Sequence, residues 1–367
     1  MKRISACMKG RQPVIPGGNW NGDFEREKCP HHQSGTAAGV GIMFLMLLAV
    51  PIAAAASDAS YRYSRVGNAN DVHPATRGGF ALIGGGKDLD DAFQWLCQRS
   101  GGGDFLVVRA TGTDAYNPYI AQTCHVNSVA TLIIPDRAAA ADPFVKKKIR
   151  EASAIFISGG DQANYVNFWQ GTPVQYAIND AIRRGVPLGG TSAGLAVQGE
   201  FVYSAQGDKP DGPDLHSPLA LADPWNPQTT IVRGFLEIPP LQEIITDTHF
   251  GKRDRMGRLL VYLARILNSR VVAQVKGIGI DEHTAVLLDS DGNGHVVGTG
   301  SAYFLRAQKR PAVCKKGVPL SFADVSVRRL RAGAKFNMTK WQGDGDAYML
   351  SVRDGKVNST QSGGGIY

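Results

Sequence analysis

Signatures of metal and nucleotide chemistry are missing from this 367-residue sequence. Its five cysteines form no C-x-x-C pair and no His/Cys spacing of a structural zinc site. Gly84-Gly85-Gly86 lacks the spacing of a dinucleotide fingerprint and the Lys-Ser/Thr end of a phosphate loop, which sets nucleotide binding aside. No internal repeat is found, which excludes solenoids and propellers. Charged residues make up 20% of the chain, and no basic stripe marks a nucleic-acid partner. One apolar run is long: Gly39 to Ala56, eighteen residues without a charge, interrupted by Pro51 and ending in alanines. That shape is read as a secretory signal rather than a spanning helix, so the chain is expected to be exported to the periplasm or beyond. The segment before it is long for such a signal, and a start nearer Met43 or an uncleaved anchor are the competing readings. No Cys ends the run, which argues against a lipoprotein. Residues 1–56 hold six Lys/Arg and three Asp/Glu, so the net charge of +8 falls to +5 beyond them. Cys97, Cys124 and Cys314 remain there, an odd set that permits at most one disulfide without saying which.

What is present is a rhythm. Phe80-Ala81-Leu82-Ile83, Phe105 to Val108, Ala130 to Ile134 and Ala154 to Ile157 are short apolar runs. Helical patterns separate them: Leu89, Phe93 and Leu96 on one face; Asp142 as a cap before Pro143, with Val145 and Ile149 one turn apart. Thr172-Pro173 opens another, with Val174, Ile178 and Ile182 aligned and Gly185 closing it. Continuous apolar strands alternating with helices imply an α/β fold with a largely parallel sheet covered on both faces. Ligands gather at the carboxyl ends of such strands, which puts the glycine-rich turns at 84–86, 158–161 and 189–194 along one edge. Residues 201–230 break the rhythm with Pro, Gly and Asp and are read as a surface insertion placed to serve as a lid. Phe322 to Leu330 and Tyr348 to Val357 read as strands of a small β-rich appendage, and the tail SGGGIY as disordered. The expected division is a leader at 1–56, an α/β catalytic domain at 57–305 and the appendage at 306–367.

One turn carries chemistry. Gly190-Thr191-Ser192-Ala193-Gly194 is a G-x-S-x-G between a strand pattern and a helix pattern, the setting in which a serine is raised as a nucleophile. A nucleophilic serine needs a base, itself oriented by a third group. Of the histidines beyond the leader, His249 ends an apolar run, His216 lies in the insertion and His283 in an alternating strand from Ile280 to Val286. His249 is the favoured base on that spacing. Arg253, Arg255 and Arg258 follow it closely. They read either as the solvated face of a helix burying Met256, Leu260 and Leu263, or as forks for carboxylates beside the site.

Four blocks taken together resemble the cyanophycinase family of serine peptidases, which also holds the aspartyl dipeptidases. They are Ser158-Gly159-Gly160-Asp161-Gln162, Gly189 to Gly194, Asp247-Thr248-His249-Phe250 with the three arginines, and Gly277 to Glu282. Their order and spacing are similar to the family's over roughly 80 to 305. The run from Gly101 to Tyr116 resembles its exported branch. The resemblance implies a flavodoxin-like three-layer α/β/α sandwich related to class I glutamine amidotransferases, and a homodimer. It implies Ser192 as nucleophile, His249 as base and Glu282 as the group orienting the imidazole, with Asp281 the alternative. Backbone N–H groups near Gly160 and Ala193 would form the oxyanion hole. Gln162, Asp247, Arg253, Arg255 and Arg258 would line the substrate pocket, the arginines taking aspartate carboxylates and Asp247 a guanidinium. No metal or organic cofactor is implied. Two departures stand out: Thr248 where the family usually has Gln, and the insertion at 201–230.

The expected activity is hydrolysis of cyanophycin, multi-L-arginyl-poly-L-aspartate, to β-Asp-Arg dipeptides through an acyl-enzyme. The competing readings are an aspartyl or isoaspartyl dipeptidase and an exported polymer-binding protein without catalysis. A glutamine amidotransferase is set aside because those enzymes carry Cys at the Ser192 position.

Overall fold

The computed structural model describes residues 60–208, 212 and 214–367; the expected leader lies outside the described residues. The apolar runs become strands. In chain order they are β1 (Arg62–Gly67), β2 (Gly79–Ile83), β3 (Asp104–Arg109), β4 (Ser128–Ile133), β5 (Ala154–Ile157) and β6 (Leu188–Thr191). They lie side by side as β1-β4-β3-β5-β6-β2, parallel from β4 to β2, with β1 antiparallel at the edge.

Successive side chains of a strand point to opposite faces, and here both faces are dry. Leu82, Leu106, Val108, Ile155 and Ile157 pack with Val145 and Ile149 of the helix Pro143–Glu151 and with Val174 and Ile178 of the helix Pro173–Arg183. Ala81, Ile83, Phe105, Val107 and Phe156 pack with Phe93 and Leu96 of Asp90–Arg99 and Ile120 of Tyr116–Thr123. This double burial is why the strands read as unbroken apolar runs. The result is the flavodoxin-like α/β/α sandwich. The helix caps fall where expected: the Asp142 carboxylate accepts from the Phe144 N–H at 2.7 Å, and Gly185 follows Pro173–Arg183 at φ 79°.

Beyond β6 the chain builds a second sheet. It starts with β7 (Phe201–Tyr203), β8 (Ile231–Arg233), β9 (Ile244–Asp247) and β10 (Val275–Ile280), then β11 (Thr284–Asp289) and β12 (Asn293–Gly298) return to the first sheet beside β2. The remaining strands are β13 (Ser301–Ala307), β14 (Phe322–Arg331), β15 (Lys335–Asn337), β16 (Gln342–Gly343), β17 (Asp346–Arg353) and β18 (Lys356–Ser359). The second sheet runs β18-β17-β14-β13-β10-β9-β7-β8, while β15 and β16 extend the first. The helix Met256–Asn268 buries Leu259, Leu260 and Leu263 against residues of this sheet.

The C-terminal region is β-rich, and residue 305 falls inside β13, so its strands are continuous with both sheets. The tail departs from expectation. It is ordered because Tyr367 packs its ring on Phe250 and Tyr303, accepts from the Met256 N–H at 2.9 Å and donates to Asp254 at 2.8 Å. The open cysteine question resolves as Cys97–Cys124, joining two helices of one face, with Cys314 buried and free.

Candidate active site

Leu188-Gly189-Gly190-Thr191 ends in a turn only glycines can make. A Cβ on Gly190 would lie 2.4 Å from the Gly194 carbonyl oxygen, and one on Gly194 would lie 2.0 Å from that of Ile157. Between them Ser192 sits at φ 51°, ψ −117°, outside the regions an L-residue prefers, with its N–H held by Ile83 O at 3.1 Å. Its hydroxyl is lifted off the carboxyl end of β6 and meets His249 Nε2 at 2.7 Å.

His249 lies just past the end of β9, itself at φ 46°. Its N–H donates to Gly84 O at 2.8 Å, and a Cβ on Gly85 would come within 2.4 Å of the imidazole Cε1. The triple-glycine turn therefore serves to let the backbone approach the imidazole. On the far side His249 Nδ1 meets Glu282 Oε1 at 2.8 Å. The strand expected from Ile280 to Val286 is split here. His283 takes φ 55° and donates its N–H to Gly85 O, so residues 281–283 form a turn between β10 and β11 that presents Glu282 to the ring. Asp281 points elsewhere: its carboxylate accepts from Gly251 and Ser301 N–H groups and braces the loop after His249. His216 caps the helix Ser217–Ala222 by accepting from Leu219 N–H at 3.4 Å.

The electrostatics suit proton transfer. Burial holds the His249 imidazole below its ordinary pKa; the bond to Glu282 works against that, and Arg253 and Arg255 add to it. Glu282 lies below the usual carboxylate range, chiefly through its bond to His249. At neutral pH the pair is a neutral imidazole facing Ser192 and an ionised carboxylate behind it.

Ser192 and His249 open onto a cleft of about 460 Å³. Gly160 and Gln162 line it from the turn after β5, where Asp161 caps the helix Gln162–Trp169, and Ala193 begins the short helix Ala193–Ala196 beside the serine. The arginines divide. Arg258, expected to meet substrate, is buried and paired with Asp247: Nε donates to Oδ2 at 2.8 Å and Nη2 to Oδ1 at 2.5 Å. Its Nη1 donates to Leu215 O of the insertion. Burial opposes the Arg258 charge, but Asp247 more than offsets it and holds the guanidinium above its usual pKa. Asp247 and Arg258 thus satisfy each other at the buried wall of the cleft. Arg255 donates to the carbonyl and the hydroxyl of Thr248, so the residue that departs from the family pattern anchors an arginine. Arg253 is the most exposed of the three.

Sequence reasoning missed Asp214. This residue of the insertion accepts from Arg255 Nη2 at 2.6 Å and Arg253 Nη1 at 3.0 Å. Partial burial alone would raise its pKa, yet Arg255 and Arg253 hold it below the carboxylate range. The only available signal was an acidic residue in a Pro/Gly-rich segment, and its spacing to the arginines is set by the fold. Of the described residues in 201–230, Tyr203, Ala205, Gln206, Asp208, Gly212 and Asp214 line the cleft.

A family model described as Peptidase family S51 matches residues 82–295. A cyanophycinase of Synechococcus elongatus is 28% identical over 240 residues, covering 62% of this chain and 68% of its own. One from Geminocystis herdmanii is 30% identical over 247 residues, 63% of this chain and 82% of its own. One from a Nostoc species is 32% identical over 176 residues, 47% and 51% of the two chains. A solved peptidase from an acI-B1 actinobacterium covers 72% of this chain and 98% of its own at 19% identity and a TM-score of 0.47. Chemically, the arrangement offers a hydroxyl, a neutral base in contact with it, a carboxylate behind the base and cations at the rim.

Proposed function

The chain belongs to peptidase family S51 and is a serine peptidase, and from that premise we propose that it hydrolyses cyanophycin to β-Asp-Arg dipeptides through a Ser192–His249–Glu282 acyl-enzyme mechanism. The observation that carries this reading is the unbroken relay from Ser192 Oγ through the imidazole to Glu282, at 2.7 and 2.8 Å, on a serine held at positive φ. His249 accepts the hydroxyl proton as Ser192 attacks an aspartyl backbone carbonyl. Glu282 keeps the tautomer and stabilises the imidazolium. The N–H of Gly160, in the turn after β5, and that of Ala193, which as the first residue of its helix has no intrahelical partner, are assigned to the oxyanion. The leaving amine takes the proton from His249, and water then attacks the ester by the same route in reverse.

Substrate recognition is assigned to Arg253 and Arg255 for carboxylates and to Gln162 for a backbone or amide group. Asp214 supports this: a carboxylate already lies against both guanidinium groups. Asp247 and Arg258 are assigned a positioning role. An aspartyl or isoaspartyl dipeptidase is the second reading, favoured by the residues of the insertion that wall the cleft. The test is to incubate wild-type protein and its Ser192→Ala variant with insoluble cyanophycin and with β-aspartyl dipeptides. Release of β-Asp-Arg by the wild type alone supports the polymer reading, dipeptide cleavage without polymer clearance supports the second, and equal release by both proteins refutes both.

Export and a homodimer complete the proposal. The Cys97–Cys124 disulfide supports export, since such bonds persist in oxidising compartments. A mature N-terminus upstream of Val40 would contradict leader cleavage, and a monomeric mass in solution scattering would contradict the dimer.

A further inference from the structure

The positive charge of this protein is concentrated at one end. Residues 306–367 hold twelve Lys/Arg and four Asp/Glu, whereas residues 57–305 hold twenty-two against twenty-five. The fold gathers part of that excess at one groove, of about 340 Å³, on the face of the second sheet. Arg328 on β14 pairs across the ladder with Phe304 on β13, and Arg306 lies two residues along from Phe304, so both arginines share a sheet face. Lys276 on β10 is the cross-strand partner of Arg306, and its ammonium stands 5.3 Å from the centre of the Trp341 ring.

The floor is aromatic and fixed. Phe304 stacks on Phe336 at 4.0 Å between centroids, and Trp341 meets both edge-on, carried in by the hairpin of β15 and β16. Among the described residues, neither Lys276, Arg306 nor Arg328 forms an ion pair; Arg328 reaches only the Gly345 carbonyl at 3.3 Å. Two other cations of this region do have acidic partners, Arg329 with Asp346 and Lys309 with Asp324. Unmatched cations over a low-dielectric floor attract anions more strongly than cations in open solvent, and the arginine fork fits carboxylates. Because Phe304, Phe336 and Trp341 are buried, the groove offers no open ring face on which a base could stack, which disfavours nucleic acid.

We propose that this groove is an accessory binding site for a carboxylate-rich polypeptide chain, separate from the hydrolytic cleft. The separation follows from the strand itself. Lys276 is the second residue of β10 and Ile280 its last, four residues on and roughly 13 Å away at strand rise, with Glu282 in the turn beyond that end. The inference stands whether polymer or dipeptide is the substrate, because it concerns retention of an acidic chain and not its cleavage.

The test uses the full chain with Ser192→Ala, so that cleavage does not interfere, and fluorescent poly-L-aspartate in an anisotropy titration at fixed salt. Adding Arg306→Ala and Arg328→Ala is expected to weaken binding by about tenfold or more. A double Lys315→Ala, Lys316→Ala control removes the same charge from an exposed loop and is expected to stay within about twofold. In the wild-type background the groove pair is expected to leave dipeptide kcat/KM unchanged, which also shows that the fold is intact. The proposal is overturned if the groove pair binds as the parent does, if the loop control loses as much, or if Arg253→Ala alone removes binding. Tighter binding of single-stranded DNA through the same arginines would overturn the assigned ligand class.

Discussion

At Ser192 the backbone is held at φ 51°, a conformation L-residues rarely adopt, and the hydroxyl it presents is already in contact with a base. The base is tuned. With His249 below its ordinary pKa, kcat/KM is expected to fall on the acid side with a midpoint below about 6.5, the unperturbed imidazole value. In Glu282→Gln the imidazolium loses its anionic partner, so the midpoint is expected to move further down and kcat to drop. A wild-type midpoint at or above the ordinary value would contradict this assignment. Asp214 gives a second residue-scale prediction. Its carboxylate competes with any acidic substrate for Arg253 and Arg255, so Asp214→Asn is expected to lower KM for aspartyl substrates several-fold with little change in kcat. A raised KM would show instead that Asp214 contacts substrate productively.

At the scale of elements, three turns converge on one imidazole: the nucleophile turn after β6, the glycine turn after β2 and the turn between β10 and β11. Gly85 has room for no side chain against His249 and sits at φ 105°. Gly85→Ala is expected to shift the ring and cut kcat by roughly 100-fold, the scale of a misplaced catalytic group, while thermal unfolding shows the chain still folded. Unchanged kcat would remove that turn from the account. The strands and helices of the sandwich were legible because double burial leaves continuous apolar runs and because Asp142, Pro143 and Gly185 are local signals. Ser192 was legible from its G-x-S-x-G turn and His249 from the end of its apolar run, while Glu282 rested on the family resemblance. The pairing of Arg258 with Asp247 was not, since helix position alone does not say that a guanidinium is buried. Nor were the second sheet and the packed Tyr367, which depend on pairings between distant segments such as β10 with β13 and β17 with β14.

At the scale of the whole molecule, an α/β/α sandwich supplies the strand ends and a second sheet supplies His249 from the end of β9 and one side of the turn that carries Glu282. The hydrolytic centre therefore depends on elements contributed by both sheets. The Cys97–Cys124 bond ties together two helices on one face of the sandwich. The central claim is that Ser192, activated by His249, is the nucleophile. The most direct measurement is peptide mass mapping after reaction with a fluorophosphonate, run alongside turnover of an aspartyl substrate. The account predicts one adduct, on Ser192, formed in step with loss of activity and abolished in His249→Ala. Loss of activity with Ser192 unmodified, or full turnover by Ser192→Ala, would contradict it.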